Sequence, residues 1–186
     1  MDPFFDWGRA KNAHEGVEPL FTAGEIVERV EELATLLSKW MDDDEEPLAQ
    51  VIMNGAVMFG ADLVRALSSR GVVLEMDFIH MQRNSQAGTV DLIAASNRPV
   101  TGRHVLIIDD IFDTGRTLQK AKDHFYRLGA DQVTSVVLLD KSNGKETATR
   151  PEYIGFECPN VFVIGYGMDI GFRYRELPFV GKLGTA

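Results

Sequence analysis

Hydrophobic and polar residues near the start of the chain follow a helical spacing. Apolar side chains recur at steps of three and four residues, at Ile26, Val30, Leu33, Leu37 and Trp40. This spacing predicts an amphipathic helix. Thr22 and Glu25 fit a capping box at its beginning, and the acidic run 42–46 with Pro47 ends it. Residues 1–21 show no clear periodicity and are interpreted either as an arm that packs on a neighbour or as a poorly ordered tail.

Short apolar runs alternate with helical segments in the middle of the chain. The runs predicted to be strands are Leu48–Met53, Val72–His80, Thr89–Ala95, His104–Ile108 and Val133–Leu139. Helices are predicted between Phe59 and Gly71 and over Arg116–Leu128. Strands that alternate with helices are typical of βαβ units. We therefore predict an α/β fold, with a mostly parallel central sheet flanked by helices.

The C-terminal part of the chain breaks this alternation. Residues 142–186 contain two short strand-like pieces, Tyr153–Glu157 and Val161–Gly165, which are separated by turns. We predict that this part forms a small hood on a single domain that spans the whole chain. An N-terminal arm and helix over 1–47 and a core over 48–141 complete the predicted domain.

Composition and charge narrow the class of ligand. The 186 residues are 45% hydrophobic and 25% charged, as in average soluble domains. The 19 basic and 28 acidic residues give a net charge of −9. This balance argues against nucleic acid as a partner, because a phosphate backbone requires stripes of Lys and Arg. A small anion remains compatible, since backbone N–H groups or a metal ion can bind it.

The cysteine content and the N-terminus indicate the compartment. Cys158 is the single cysteine, so an intramolecular disulfide is impossible and a reducing compartment is expected. Residues 1–7 lack the basic region and apolar stretch of a signal peptide. Apolar runs such as Val105–Ile108 are too short to span a bilayer. We expect a cytoplasmic protein with no membrane partner.

The segment from Val105 to Leu118 carries the candidate chemistry. It contains four apolar residues, two acids, two apolar residues and then Asp-Thr-Gly-Arg-Thr at the start of a predicted helix. Ligands of open α/β sheets bind outside the carboxyl ends of the strands, and a helix N-terminus binds phosphate. Gly115 permits close approach of the backbone to a phosphate, and Thr114 and Thr117 add hydroxyl donors.

The acidic pair of this segment has two possible roles. Asp109 and Asp110 can accept hydrogen bonds from sugar hydroxyls or hold Mg²⁺. Acids beside a phosphate site suit a sugar phosphate with vicinal hydroxyls and a metal ion. An isolated Asp-Asp pair often only ends a strand, and Asp113 would then only cap a helix. The complete segment favours a ligand site over that structural interpretation.

The same segment resembles the motif that binds 5-phosphoribosyl 1-pyrophosphate (PRPP) in type I phosphoribosyltransferases. Leu138–Lys141, Tyr153–Phe156, Val161–Asp169 and Arg175 resemble the hood of the hypoxanthine–guanine branch of that family. The resemblance covers roughly residues 48–180. It implies a purine salvage enzyme that transfers phosphoribosyl from PRPP to N9 of hypoxanthine or guanine. The products would be IMP or GMP and pyrophosphate.

The resemblance also implies the role of each site residue. Asp113 would be the general base, and Lys141 would donate to the 6-oxo group of the purine. Phe162 would stack on the purine, and the backbone of Val163 would hold its edge. Asp169 would contribute to the base site and, with Asp109 and Asp110, to Mg²⁺ binding. PRPP would be bound by Asp109, Asp110, Thr114, Gly115, Arg116, Thr117, Asn54, Gly55 and Arg175.

Two places depart from the family pattern. Asn54 stands where some members have lysine, so one charge contact is missing. Met81–Gly88, predicted as a polar flexible loop, matches the family's mobile loop in position but has no tyrosine of the usual Ser-Tyr pair. The sequence therefore does not identify the residue that would close the site. A plain surface loop is the alternative interpretation of this segment.

Two other functions compete with the enzyme. A non-catalytic PRPP-sensing regulator would have a basic surface or an added DNA-binding domain, and the charge of −9 weighs against it. A phospho-acceptor receiver domain would have its acids near the first strand, and it does not explain Asp-Thr-Gly-Arg-Thr. The family also implies a homodimer or homotetramer. Side chains do not reveal the preference among hypoxanthine, guanine and xanthine.

Overall fold

The elements of the fold follow the predicted alternation of strands and helices. The computed structural model describes residues 16–41, 46–84, 88–144, 147 and 149–183. In chain order the elements are β1 (Val17–Phe21), α1 (Ala23–Ser38), β2 (Leu48–Met53), α2 (Val57–Ser68), β3 (Glu75–Asn84), β4 (Thr89–Ala94), β5 (His104–Phe112), α3 (Arg116–Arg127), β6 (Gln132–Asp140), β7 (Tyr153–Glu157), β8 (Val163–Ile164) and β9 (Val180–Leu183).

A six-stranded sheet in the order β4-β3-β2-β5-β6-β7 forms the centre of the molecule. β3, β2, β5, β6 and β7 pair in parallel, and β4 pairs with β3 in the antiparallel sense. The predicted α/β class with a mostly parallel sheet is confirmed. Parallel strands place their carboxyl ends at one edge, so the residues that follow β2, β5 and β6 lie near one another.

Helices cover both faces of this sheet. Leu33 of α1 and Phe59 of α2 are fully buried in one apolar cluster, with β2, β5 and β6. Leu118 and Phe125 of α3 are buried in the cluster on the other face. With both faces packed, the carboxyl edge of the sheet is the place for a ligand.

α1 begins as the sequence predicts. The Thr22 hydroxyl accepts a hydrogen bond from the Glu25 N–H at 3.3 Å, and the Glu25 carboxylate accepts one from the Thr22 N–H at 2.8 Å. These contacts form a capping box, which satisfies two N–H groups at the start of the helix.

Among the helices that the structure describes, none combines the length and apolar character needed to cross a bilayer.

The hood is assembled differently from the prediction. β1, β9 and β8 form a separate antiparallel sheet, so Val17–Phe21 from the predicted arm belongs to the hood. Conversely, Tyr153–Glu157 pairs with β6 and extends the central sheet. The Phe21 and Phe156 rings stack at 4.4 Å and join the two sheets. The rest of the arm, residues 1–15, lies outside the described residues.

Two strands near the candidate site are longer than predicted. β5 continues through the acidic pair because Asp109 still pairs with Val137, so these acids do not follow the strand. β3 begins at Glu75 and runs to Asn84, so the first four residues of the predicted Met81–Gly88 loop are strand. Pairing with β4 holds them in place. Residues 85–87 of that loop lie outside the described part of the chain.

Candidate active site

Three segments meet at the carboxyl edge of the sheet through contacts that only glycine permits. A Cβ atom on Gly55, in the turn after β2, would overlap the Asp110 carboxylate. A Cβ atom on Gly167, in the hood, would overlap the Gly55 carbonyl oxygen. Gly167 also has φ +100°, a conformation that L side chains rarely adopt. The turn after β2 therefore contacts the backbone of the hood and the Asp110 side chain near the end of β5. The Met53–Asn54 peptide bond in this turn is cis.

A cavity of about 330 Å³, here called the acidic cavity, opens between these segments. Its lining contains the predicted residues Asn54, Gly55, Asp109, Asp110, Thr117, Asp169 and Arg175. The structure thus brings together residues that lie far apart in the sequence. Most of those predicted for PRPP, and all those predicted for Mg²⁺, line this one cavity.

The two adjacent acids of the cavity differ in their surroundings. Asp109 is buried, with 5% of its surface exposed, whereas Asp110 is partly exposed. Burial raises the pKa of Asp109 well above its ordinary value, and the neighbouring Asp110 carboxylate raises it further. Asp109 Oδ1 accepts a hydrogen bond from the Asp110 N–H at 3.0 Å. A bound cation would relieve the repulsion between these carboxylates.

Asp169 and Arg175 face each other across the hood turn. Arg175 Nη2 lies 2.7 Å from Asp169 Oδ1, and Arg175 Nη1 donates to the Gly167 carbonyl at 2.5 Å. The second carboxylate oxygen of Asp169 accepts from the Phe172 N–H at 2.7 Å. The same turn that contacts Gly55 therefore also fixes the guanidinium and the carboxylate that line the cavity.

The N-terminus of α3 borders the acidic cavity. Gly115 caps this helix at φ +76°, and no side chain caps it within the described residues. The first-turn N–H groups are therefore open to an anion. Thr117 lines the acidic cavity, whereas Thr114, Gly115 and Arg116 line a neighbouring cavity of about 380 Å³. The Asp-Thr-Gly-Arg-Thr loop thus lies between two cavities.

Besides Thr114, Gly115 and Arg116, four predicted residues are not among the described residues that line the acidic cavity. Asp113 is half-buried in the turn between β5 and α3. Lys141 follows β6, and its Nζ donates to the Val161 carbonyl at 2.6 Å. Phe162 is 59% exposed, so its ring is available for stacking, while the Val163 side chain is buried. Lys141 is thus connected to the segment that carries Phe162.

Arg83 belongs to the site, although the sequence did not predict it. This residue lines the acidic cavity, and its Nε donates to Thr117 Oγ1 at 3.3 Å. The polar composition of Met81–Gly88 predicts a flexible loop, in which the direction of a side chain is undefined. Met81 and Arg83 both line the cavity because side chains two apart share one face of a strand. The alternation of side chains in the predicted strand, extended past His80, would have indicated Arg83.

The cavity offers oxygen ligands suitable for magnesium. No group of three or more His, Cys, Asp or Glu side chains in the described part of the chain forms a metal cluster. Mg²⁺ typically uses one or two carboxylates together with substrate phosphates instead of an all-protein cage. Asp109 and Asp110 beside an anion-binding helix N-terminus fit that kind of site.

A model of the phosphoribosyl transferase domain matches residues 21–170. The chain belongs to the phosphoribosyltransferase family. Among curated relatives of this phosphoribosyltransferase, the hypoxanthine-guanine phosphoribosyltransferase of Bacillus subtilis is 38% identical over 178 residues, 93% of this chain and 96% of the relative. The enzyme of the same name from Dictyostelium discoideum is 32% identical over 170 residues, 89% of this chain and 94% of the relative.

Solved structures resemble this phosphoribosyltransferase over nearly its whole length. Hypoxanthine phosphoribosyltransferase from Trypanosoma cruzi, in complex with the product IMP, gives a TM-score of 0.83 at 32% identity, covering 91% of this chain and 96% of that one. A hypoxanthine-guanine phosphoribosyltransferase from Bacillus anthracis also gives 0.83 at 32%, covering 90% and 97%. These similarities confirm the hypoxanthine–guanine branch that the hood residues indicated.

Substitution of Gly55 tests the glycine contact. We expect Gly55→Ala to lower phosphoribosyl transfer at least about 100-fold, because a displacement near 1 Å in a site can cost that much. Steady-state kinetics and a thermal unfolding curve would measure the activity and check the fold.

The matched control for this variant is Gly24→Ala in the first turn of α1, where a Cβ atom meets nothing within 4 Å. It should leave the activity unchanged. A Gly55→Ala protein with wild-type kinetics would contradict the described packing of Asp110 against this turn.

Proposed function

We propose that this phosphoribosyltransferase makes IMP and GMP in purine salvage, by Mg²⁺-dependent transfer of phosphoribosyl from PRPP to N9 of hypoxanthine or guanine. The observation that carries the proposal is the acidic cavity at the N-terminus of α3, within a chain of the hypoxanthine–guanine branch. An acidic pair and an open helix N-terminus suit the two ends of a sugar phosphate. The relative from Trypanosoma cruzi binds IMP as its product.

Each part of PRPP has a proposed binding site. The loop of Thr114, Gly115, Arg116 and Thr117 would bind the 5′-phosphate with backbone N–H groups and hydroxyls. Asp109 and Asp110 would accept hydrogen bonds from the ribose hydroxyls. The pyrophosphate would lie against the Asn54–Gly55 turn and Arg175, since both line the acidic cavity.

The base site would be formed by the segments after β6 and in the hood. The Lys141 ammonium has three donors and no acceptor, so it favours a 6-oxo group over the amino group of adenine. Its present bond to the Val161 carbonyl leaves donors for a base. The exposed Phe162 ring would stack on the purine, and the backbone of Val163 would bind its edge.

Magnesium would be held at the carboxylates of the acidic cavity, namely Asp109, Asp110 and Asp169. When bound, Mg²⁺ would supply charge neutralisation and a template for the pyrophosphate. Arg175 would add positive charge to the same group, held in place by Asp169 and the Gly167 carbonyl. The chain itself would thus orient the leaving group before the bond breaks.

The transfer would be a displacement at C1 of the ribose. The bond from C1 to the pyrophosphate oxygen breaks, the bond from N9 to C1 forms, and the leaving oxygen keeps the electron pair. Asp113 would take the proton from N7 of the purine. Holding both reactants in line would contribute much of the rate gain, and a closed site would exclude water that hydrolyses PRPP.

The assembly and the location also belong to this proposal. We propose a homodimer or homotetramer in the cytoplasm. The single cysteine and the absence of a bilayer-length apolar helix in the described residues are compatible with that location.

Product formation with four bases tests the function. Purified protein is incubated with PRPP, Mg²⁺ and, separately, hypoxanthine, guanine, xanthine or adenine. We expect IMP and GMP, little AMP, and loss of product with EDTA that returns when Mg²⁺ is restored. Protein that binds PRPP and forms no nucleotide with any base would contradict the enzyme and favour a PRPP-sensing regulator.

Asp113→Asn tests the general base. An amide cannot accept the purine proton as a carboxylate does, so we expect kcat to fall by about 10²–10⁴-fold with KM for PRPP and for the base nearly unchanged. The exposed Asp91→Asn on β4 is the matched control. Equal losses in kcat and in substrate binding would instead make Asp113 a positioning residue.

A further inference from the structure

Arg83 occupies a defined position beside the phosphate-binding loop. It lies near the end of β3, where pairing of Arg83 with Val90 of β4 fixes the backbone. Its side chain lines the acidic cavity, and Nε donates to Thr117 Oγ1 at 3.3 Å. Thr117 belongs to the first turn of α3. A guanidinium thus lies next to an open helix N-terminus.

The two arginines of the acidic cavity differ in their carboxylate contacts. Arg175 is held by Asp169 at 2.7 Å and by the Gly167 carbonyl. Arg83 forms no ion pair within 4.0 Å among the described residues, and its positive charge acts on Asp109 from a longer distance, where it opposes the rise in the pKa of that carboxyl. Since Arg carries five N–H donors, its contact with Thr117 leaves most of them for a ligand.

An edge-strand charge would be the ordinary explanation of an exposed arginine here, because β2 pairs with β3 only as far as His80 and Arg83 pairs with β4 alone. The Arg83 side chain nevertheless lines the acidic cavity and donates to the Thr117 hydroxyl, contacts that a solvated edge charge does not require. A position that presents a guanidinium, a hydroxyl and helix N–H groups together is suited to phosphate oxygens.

We propose that Arg83 binds a phosphate group of the sugar-phosphate substrate. The inference rests on the proposed function, because it takes PRPP as the substrate. Arg83 also supplies a positive charge to a cavity whose β2 turn contributes only the uncharged Asn54 and Gly55. The phosphate is either the 5′-phosphate or the pyrophosphate. Binding of IMP distinguishes the two, because IMP carries the 5′-phosphate and no pyrophosphate.

Direct binding measurements test the role of Arg83. Calorimetric dissociation constants for PRPP, Mg²⁺-pyrophosphate and IMP are compared between the wild type, Arg83→Gln and Arg83→Lys. We expect Arg83→Gln to weaken PRPP binding about tenfold, as the loss of one charge-assisted hydrogen bond does. Arg83→Lys should recover part of this affinity, because lysine keeps the positive charge but lacks the planar N–H donors of the guanidinium. Unchanged unfolding temperatures would show that the variants fold.

The pattern of losses identifies the phosphate. If Arg83→Gln weakens the binding of PRPP and IMP but not of pyrophosphate, Arg83 contacts the 5′-phosphate. If it weakens the binding of PRPP and pyrophosphate but not of IMP, Arg83 contacts the leaving group. Arg98→Gln is the matched control, because among the described residues the guanidinium of this exposed arginine pairs with Glu75 at 3.8 Å and is absent from the cavity lining. It should leave all three constants unchanged.

Two outcomes would overturn the assignment. Affinities of Arg83→Gln within twofold of the wild type for all three ligands would exclude a phosphate contact, while nucleotide formation by the wild type would leave the proposed function intact. Wild-type protein that binds none of the three ligands would overturn both the Arg83 assignment and the proposed function.

Discussion

The contact between the Gly55 backbone and the Asp110 carboxylate is the constraint on which the site depends. A second glycine, Gly167, brings the hood against the carbonyl of Gly55. Three segments that are distant in sequence therefore close around one cavity. Because interiors pack densely, one added methyl group at Gly55 must displace either the acid or the turn. The spacing of the cavity is thus set by the close approach of the two glycines to the Asp110 carboxylate and to the Gly55 carbonyl.

Electrostatics explains why this cavity needs cations from several sources. The chain carries a net charge of −9, and Asp109 and Asp110 line the cavity proposed to bind the anionic PRPP. The helix N-terminus, Arg175 and the proposed Mg²⁺ site offset this repulsion. Arg83 adds charge from a strand that passes beside the same helix. The proposed substrate, which carries phosphates at both ends, would contact several of these groups at once.

Local patterns in the sequence predict the parts of the fold that local interactions determine. The capping box at Thr22 and the helix that begins at Arg116 follow from spacing within a few residues, and the structure confirms both, although β5 extends past its predicted end. Pairing between distant segments has no such pattern. The entry of Val17–Phe21 into the hood and of Tyr153–Glu157 into the central sheet depends on free strand edges formed by other parts of the chain. Arg83 was missed for a related reason, because β4 converts a polar loop into strand.

A crystal structure with bound IMP is the most direct test of the central claim that one ligand spans the acidic cavity and the hood. We predict that the phosphate lies at the first turn of α3, near Thr117. The base should stack on Phe162, with its 6-oxo oxygen within hydrogen-bond distance of Lys141 Nζ. IMP bound with its phosphate away from α3, or with its base away from Lys141, would contradict the account.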